Sequence, residues 1–110
     1  MPFAADPNVV TGITAFAGGG AGSATQLTGE VNVVAVCATA ADSVKLPANA
    51  GLGDVVVRNN GAAACNVFPP TGGTIDAGSV DAAKSVATVK GMYFFCTSAD
   101  GKTWVTVAGA

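Results

Sequence analysis

Residues 54–76 constrain the fold more than any other part of the chain. Val55, Val56 and Val57 are β-branched, and their stiffness at χ1 favours an extended strand over a helix. Asn59-Asn60-Gly61 follows, a set of residues that tolerates the positive φ of a tight hairpin turn. Cys65, Val67 and Phe68 then resume an apolar strand, Pro69-Pro70 removes two backbone donors, and Gly72-Gly73 turns the chain again. The order predicts strand, hairpin turn, strand, turn. It speaks to architecture rather than chemistry.

The rest of the chain carries the same punctuation. Residues 9–16 alternate loosely as a first strand, which the loop Gly18-Gly19-Gly20-Ala21-Gly22 breaks. In residues 31–39, Val31, Val33, Ala35 and Cys37 fall on one face of a strand and Val34, Val36 and Ala38 on the other. A strand apolar on both faces is central in its sheet or lies at a subunit interface, which makes Val34 and Val36 candidate interface residues. Residues 43–46 and 84–89 alternate more conventionally, and each is expected to have one wetter face. Residues 92–97 and 103–107 read as a second hairpin across Ser98-Ala99-Asp100-Gly101-Lys102. Helix formers are scarce: Leu occurs only at 27, 46 and 52 and Glu only at 30, and Asp81-Ala82-Ala83-Lys84 offers one helical turn at most. No internal repeat stands out. About eight short strands with regular turn signals predict an all-β fold, a compact antiparallel β-sandwich or small β-barrel. Residues 1–8, with Pro2, Asp6 and Pro7, read as an extended N-terminal arm, and residues 9–110 as a single β domain.

Composition narrows the function. Half of the 110 residues are hydrophobic and only 11% are charged, against about 25% in ordinary soluble domains. A surface this poor in charge promotes association, so a specific homo-oligomer is expected. The net charge is −2, and Lys45, Arg58, Lys84, Lys90 and Lys102 are scattered. No phosphate-tracking stripe results, and nucleic-acid binding is disfavoured. The first residues lack the basic region and apolar core of a secretory signal. The longest apolar run, residues 31–41, is far short of the ~20 residues of a membrane helix. The expectation is a soluble protein made in the cytoplasm.

The residue types that carry chemistry are thinly spread. The chain has no histidine, which removes the commonest general base and both the Ser-His-Asp and Cys-His arrangements. Cys37, Cys65 and Cys96 lack close metal-ligand spacing and sit in apolar strand patterns, so reduced, buried, structural thiols are expected. Asp42, Asp54, Asp76, Asp81 and Asp100 lie mostly beside Gly, Ser or Ala, where Asp bonds to its own local backbone in turns. The glycine loop at 18–22 is not followed by the Lys-Ser/Thr of a phosphate cradle. Ser98-Ala-Asp-Gly-Lys-Thr-Trp104 resembles the Asp-box turn of sialidase-like propellers with one residue missing between Asp and Gly. That box is a structural turn. Tyr93, Phe94, Phe95 and Trp104 suit core packing better than a sugar-stacking platform, because aromatics dominate small cores. No enzyme activity, cofactor or metal is expected.

With these strands placed, Asp42-Ser-Val-Lys-Leu-Pro47, Val55-Val-Val-Arg-Asn-Asn-Gly61, Asn66-Val-Phe-Pro69 and Thr71-Gly-Gly-Thr-Ile75 resemble the small Ala/Gly/Val-rich virion proteins of tailed bacteriophages. The likeness spans roughly residues 30–107. It implies a capsid decoration (cement) protein, a homotrimer on the outside of the capsid that clamps the major capsid protein and is assembled in the host cytoplasm. The free arm suits such a clamp, which makes Phe3, Asp6, Pro7 and Asn8 the expected capsid-binding residues. The alternative implied by the same likeness is a carbohydrate- or receptor-binding fibre or spike module, which would use exposed Tyr93 or Trp104 with a nearby Asp or Asn.

Overall fold

The computed structural model describes residues 8–18, 20–47 and 53–108. The described residues form strands and turns without a helix, so nothing among them is a helix long and apolar enough to cross a membrane. The strands are β1 (Val9–Thr14), β2 (Thr25–Gln26), β3 (Val31–Val36), β4 (Ser43–Lys45) and β5 (Asp54–Asn59). They continue with β6 (Cys65–Phe68), β7 (Thr74–Ile75), β8 (Lys84–Val86), β9 (Lys90–Cys96) and β10 (Thr103–Ala108). Two sheets result, a six-stranded one in the order β1-β3-β5-β9-β10-β7 and a four-stranded one in the order β2-β4-β6-β8.

The pairing corrects the antiparallel expectation. β1, β3 and β5 run parallel in the larger sheet, and β2, β4 and β6 run parallel in the smaller one. A parallel pair needs a crossover, usually a helix. Here a strand of the other sheet provides it, because the chain changes sheet at every step from β1 to β6. Val9, Val31 and Val56 thereby stack in one register column, as do Thr25, Val44 and Val67 in the other sheet. The loops differ in length and the residues differ in kind, which is why these three coils leave no repeat in the sequence. The last four strands depart from the pattern: β9 lies antiparallel between β5 and β10, and β8 closes the smaller sheet antiparallel to β6.

The turn at Asn59-Asn60-Gly61 is accordingly a corner between sheets and not a hairpin. β5 and β6 belong to different sheets. Gly61 serves close approach rather than positive φ: a Cβ there would lie 2.5 Å from the Cys37 nitrogen and 2.6 Å from the Cys37 Cβ. Asn59 completes the inward series begun by Val55 and Val57, and it is fully buried. Its Oδ1 accepts from Gly61 N–H at 2.9 Å, while its Nδ2 donates to the carbonyls of Ala63 at 2.8 Å and Val86 at 3.0 Å. Buried Asn32 does the same for the entry to β3, accepting from Gly29 N–H and donating to the carbonyls of Gly29 and Val56. Buried polar groups need such partners, since each one left unmade costs ~1–3 kcal/mol.

One core unites the sheets. Val34, Val55, Val57, Phe94 and Trp104 from the larger sheet join Val44, Cys65, Val67 and Val86 from the smaller in a single buried cluster. β3 is central, as its apolar faces suggested, flanked by β1 and β5. The hairpin of β9 and β10 forms as expected, with Trp104 opposite Cys96 and Val107 opposite Tyr93. Residues 1–7 of the expected arm lie outside the described residues.

Candidate functional site

The aspartates are committed to backbone. Asp42 accepts from Gly18 N–H at 3.0 Å and Thr39 N–H at 3.2 Å, and Asp81 accepts from Gly72 N–H at 2.7 Å. Asp76, in the left-handed region at φ 54°, accepts from both the amide and the hydroxyl of Thr106 and pairs with Lys84 at 3.1 Å. Burial pushes its carboxyl up, but the Thr106 bonds and Lys84 outweigh that and hold it below the usual carboxylate range. Asp100 is likewise held low, first by the Ser98 hydroxyl and then by the Lys102 amide. Together with Thr103 N–H on Ser98 Oγ and Trp104 Nε1–H on the Gly101 carbonyl, these bonds make residues 98–104 a self-contained turn. Asp54 is the exception: it lies within β5, is 9% exposed, and its buried Oδ2 has no hydrogen-bond partner. Among the described residues no three His, Cys, Asp or Glu side chains gather as a metal site.

The aromatic residues divide by strand parity. Phe94 and Trp104 point inward and are completely buried, so Trp104 cannot serve as a sugar platform. Tyr93 and Phe95 occupy the opposite side of β9, their rings stacked with centroids 6.2 Å apart and planes 10° from parallel. Only this pair remains of the aromatic platform the sequence offered.

Cys37, Cys65 and Cys96 are free and buried. Burial raises the thiol of Cys37, and it pushes that of Cys65 up to about 12, with the neighbouring Cys37 adding to the shift. A thiol raised on folding stabilises the native state below its unfolded pKa and loses that contribution as pH rises toward the folded value. Stability is therefore expected to fall between about pH 9 and pH 12, by up to ~1.4 kcal/mol per pH unit for Cys65. Urea unfolding across that range should show the loss, and Cys65→Ala should flatten it. Thiol titration without reductant should find three groups after denaturation and almost no reaction in the native protein.

The residues expected to bind a capsid or a subunit are placed apart. Phe3, Asp6 and Pro7 lie outside the described residues. Asn8 is anchored to the domain: its carbonyl accepts from the amides of Glu30 at 2.9 Å and Val31 at 3.1 Å, and its amide donates to Glu30 Oε1 at 3.2 Å. Val34 is fully buried inside its own chain, so its side chain is already taken up by the core; Val36, at the end of β3, is 48% exposed.

What sequence reasoning missed is a face. On the outward side of the larger sheet, strand register aligns Val9, Val31, Val56, Tyr93 and Val107 in one row across five strands. Val9, Tyr93 and Val107 are 52%, 41% and 57% exposed. The row beside it holds Asp54, Phe95 and Val105, and the row on the other side holds Val33, Arg58 and Gly91. Alternation along β9 and β10 hinted at outward apolar residues, but the continuity of the row depends on pairings that sequence does not reveal. Comparison with protein-family models, curated proteins and solved structures finds no match to this chain.

Proposed function

We propose that this chain is a structural protein of a tailed-phage virion, a capsid decoration protein that binds the outside of the assembled shell and stabilises it. The observation that carries the reading is the apolar face of the larger sheet, half-exposed along its middle and exposed at Val9, Tyr93, Val105 and Val107, on a chain with only 11% charged residues. A broad apolar face suits contact with protein surfaces, whereas small ligands favour concave sites. The reading also rests on the likeness of residues 30–107 to such virion proteins. Its partners are the major capsid protein and further copies of the chain, within a β-sandwich architecture formed by the two mixed sheets. The Tyr93–Phe95 stack favours a second reading, a receptor-binding fibre module that stacks sugar rings on this pair.

The chain is expected to sediment with undecorated capsids of the phage that encodes it, saturably, and to raise the temperature at which those particles lose their DNA, because it binds only the assembled state. Deleting residues 1–7 should weaken capsid binding at least ~10-fold while leaving the circular dichroism unchanged; the deletion stops before Asn8 because of its bonds to Glu30 and Val31. Undiminished binding by the truncated protein would assign attachment to the β domain. Glycan binding without capsid binding would replace the decoration reading with the fibre reading.

A further inference from the structure

We propose that the outward face of the larger sheet is self-complementary and that a second copy of this chain docks on it about a two-fold axis running along the Val9-Val31-Val56-Tyr93-Val107 row. A closed two-fold contact requires that each surface feature meet its complement when the face is turned onto itself. An axis along this row, lying between the packed faces, reverses the strand direction and carries the row onto its own copy. Apolar residues then meet apolar residues along about 19 Å, the width of four strand spacings.

The flanking rows exchange places under the same rotation. Phe95 of one copy comes to lie over Gly91 of the other, where the absence of a side chain leaves room: a Cβ at Gly91 would have no neighbour closer than 3.7 Å. Asp54, two positions to one side of Val56 on β5, comes opposite Arg58 of the second copy, two positions to the other side. Both contacts occur twice.

The charges on this face are complementary and, among the described residues, form no ion pair. Among the described residues the ion pair is Lys84–Asp76, and neither Asp54 nor Arg58 has such a partner. Asp54 Oδ2 is enclosed within its own chain, so only the small exposed part of the residue can face the second copy, while Arg58 uses its Nε–H on Asn60 Oδ1 at 2.8 Å and keeps its terminal guanidinium nitrogens to reach across. Opposite charges brought to facing positions in this way favour one register over its alternatives.

The area is adequate for a reversible pair. The five longer strands, of six or seven residues each, give a face on the order of 500 Å², which side-chain relief brings toward the ~800 Å² per partner of a standard interface. A two-fold pair, in place of the trimer implied by the resemblance, is the stoichiometry this face supports. The pair draws on the same face that supports the decoration reading, so in a dimer capsid contact falls to other surfaces of the chain; a pair that ignores capsids would sustain the dimer and remove the decoration reading.

Sedimentation equilibrium of the full chain between 1 and 100 µM, about the range over which such interfaces act, should show monomer and dimer only. Val107→Lys places two like charges against each other on the axis and should weaken the dimer at least ~100-fold with unchanged circular dichroism, since the site is exposed in the monomer. Val107→Cys should cross-link to its own copy under mild oxidation with copper-phenanthroline, while the wild type, whose three thiols are buried, should not. A monomer at 100 µM, a trimer, or a dimer indifferent to Val107→Lys that yields no Val107→Cys cross-link would each overturn the proposal.

Discussion

Replacing Trp104 by Ala is expected to lower the stability of the chain by ~3–5 kcal/mol, the range for removing a large buried aromatic side chain. Trp104 heads the fully buried side chains by volume and sits in the core cluster with Phe94 and Ile75. Its strand partners are Cys96 of β9 and Ile75 of β7, so its loss opens a cavity where the larger sheet gains its last strand. Its indole N–H also donates to the Gly101 carbonyl at 2.8 Å, which ties the 98–104 turn to the core. Trp104→Phe keeps most of the apolar contact and forfeits that bond, so a smaller loss of ~1–3 kcal/mol is expected. Urea unfolding followed by far-ultraviolet circular dichroism measures both. Domains of this size commonly have only ~5–15 kcal/mol in total, and a loss below 1 kcal/mol for the alanine variant would remove Trp104 from the centre of the account.

Asn59→Ala should cost ~2–4 kcal/mol, although the residue stands in a segment that reads as a surface turn. The substitution leaves Gly61 N–H and the carbonyls of Ala63 and Val86 without their side-chain partner at a buried corner. Asn59→Asp should be no better, because an ionised carboxylate cannot donate to two carbonyls and is costly to bury. Asn60, by contrast, is exposed, and among the described residues its side chain accepts from Arg58 alone; Asn60→Ala should stay within about 0.5 kcal/mol. A hairpin at this place would make the two substitutions comparable. Equal losses at 59 and 60 would therefore argue against the sheet-to-sheet corner.

The contrast shows how far the sequence was legible. Local signals were read well: the β9–β10 hairpin followed from two alternating runs and a short loop, and Asp42 and Asp100 bind nearby backbone at Thr39 and Lys102, whereas Asp81 reaches Gly72 and Asp76 reaches Thr106 within β10. Nonlocal pairing was not legible. The Asn-Asn-Gly signal belongs equally to a hairpin and to a corner, and only the packing of Gly61 against Cys37 decides between them. The one cue for Asn59 was its phase with Val55 and Val57, which places it inward. Parallel stacking of β1, β3 and β5 was not legible, because continuous apolar runs such as Val55-Val56-Val57 mark a well-covered strand without fixing which strand lies beside it or which way it runs. The outward apolar row was hidden for the same reason: Tyr93 and Val107 are visible in alternation, but their alignment with Val56, Val31 and Val9 exists only through register.

The decoration reading is tested most directly by comparing electron-microscopy reconstructions of the phage particle with and without this chain. The account predicts density for the two-sheeted domain on the outer capsid surface, repeated over the lattice, absent from particles that lack the chain and restored when the purified protein is added back. Density confined to the tail or its fibres, or particles identical in the two reconstructions, would contradict it.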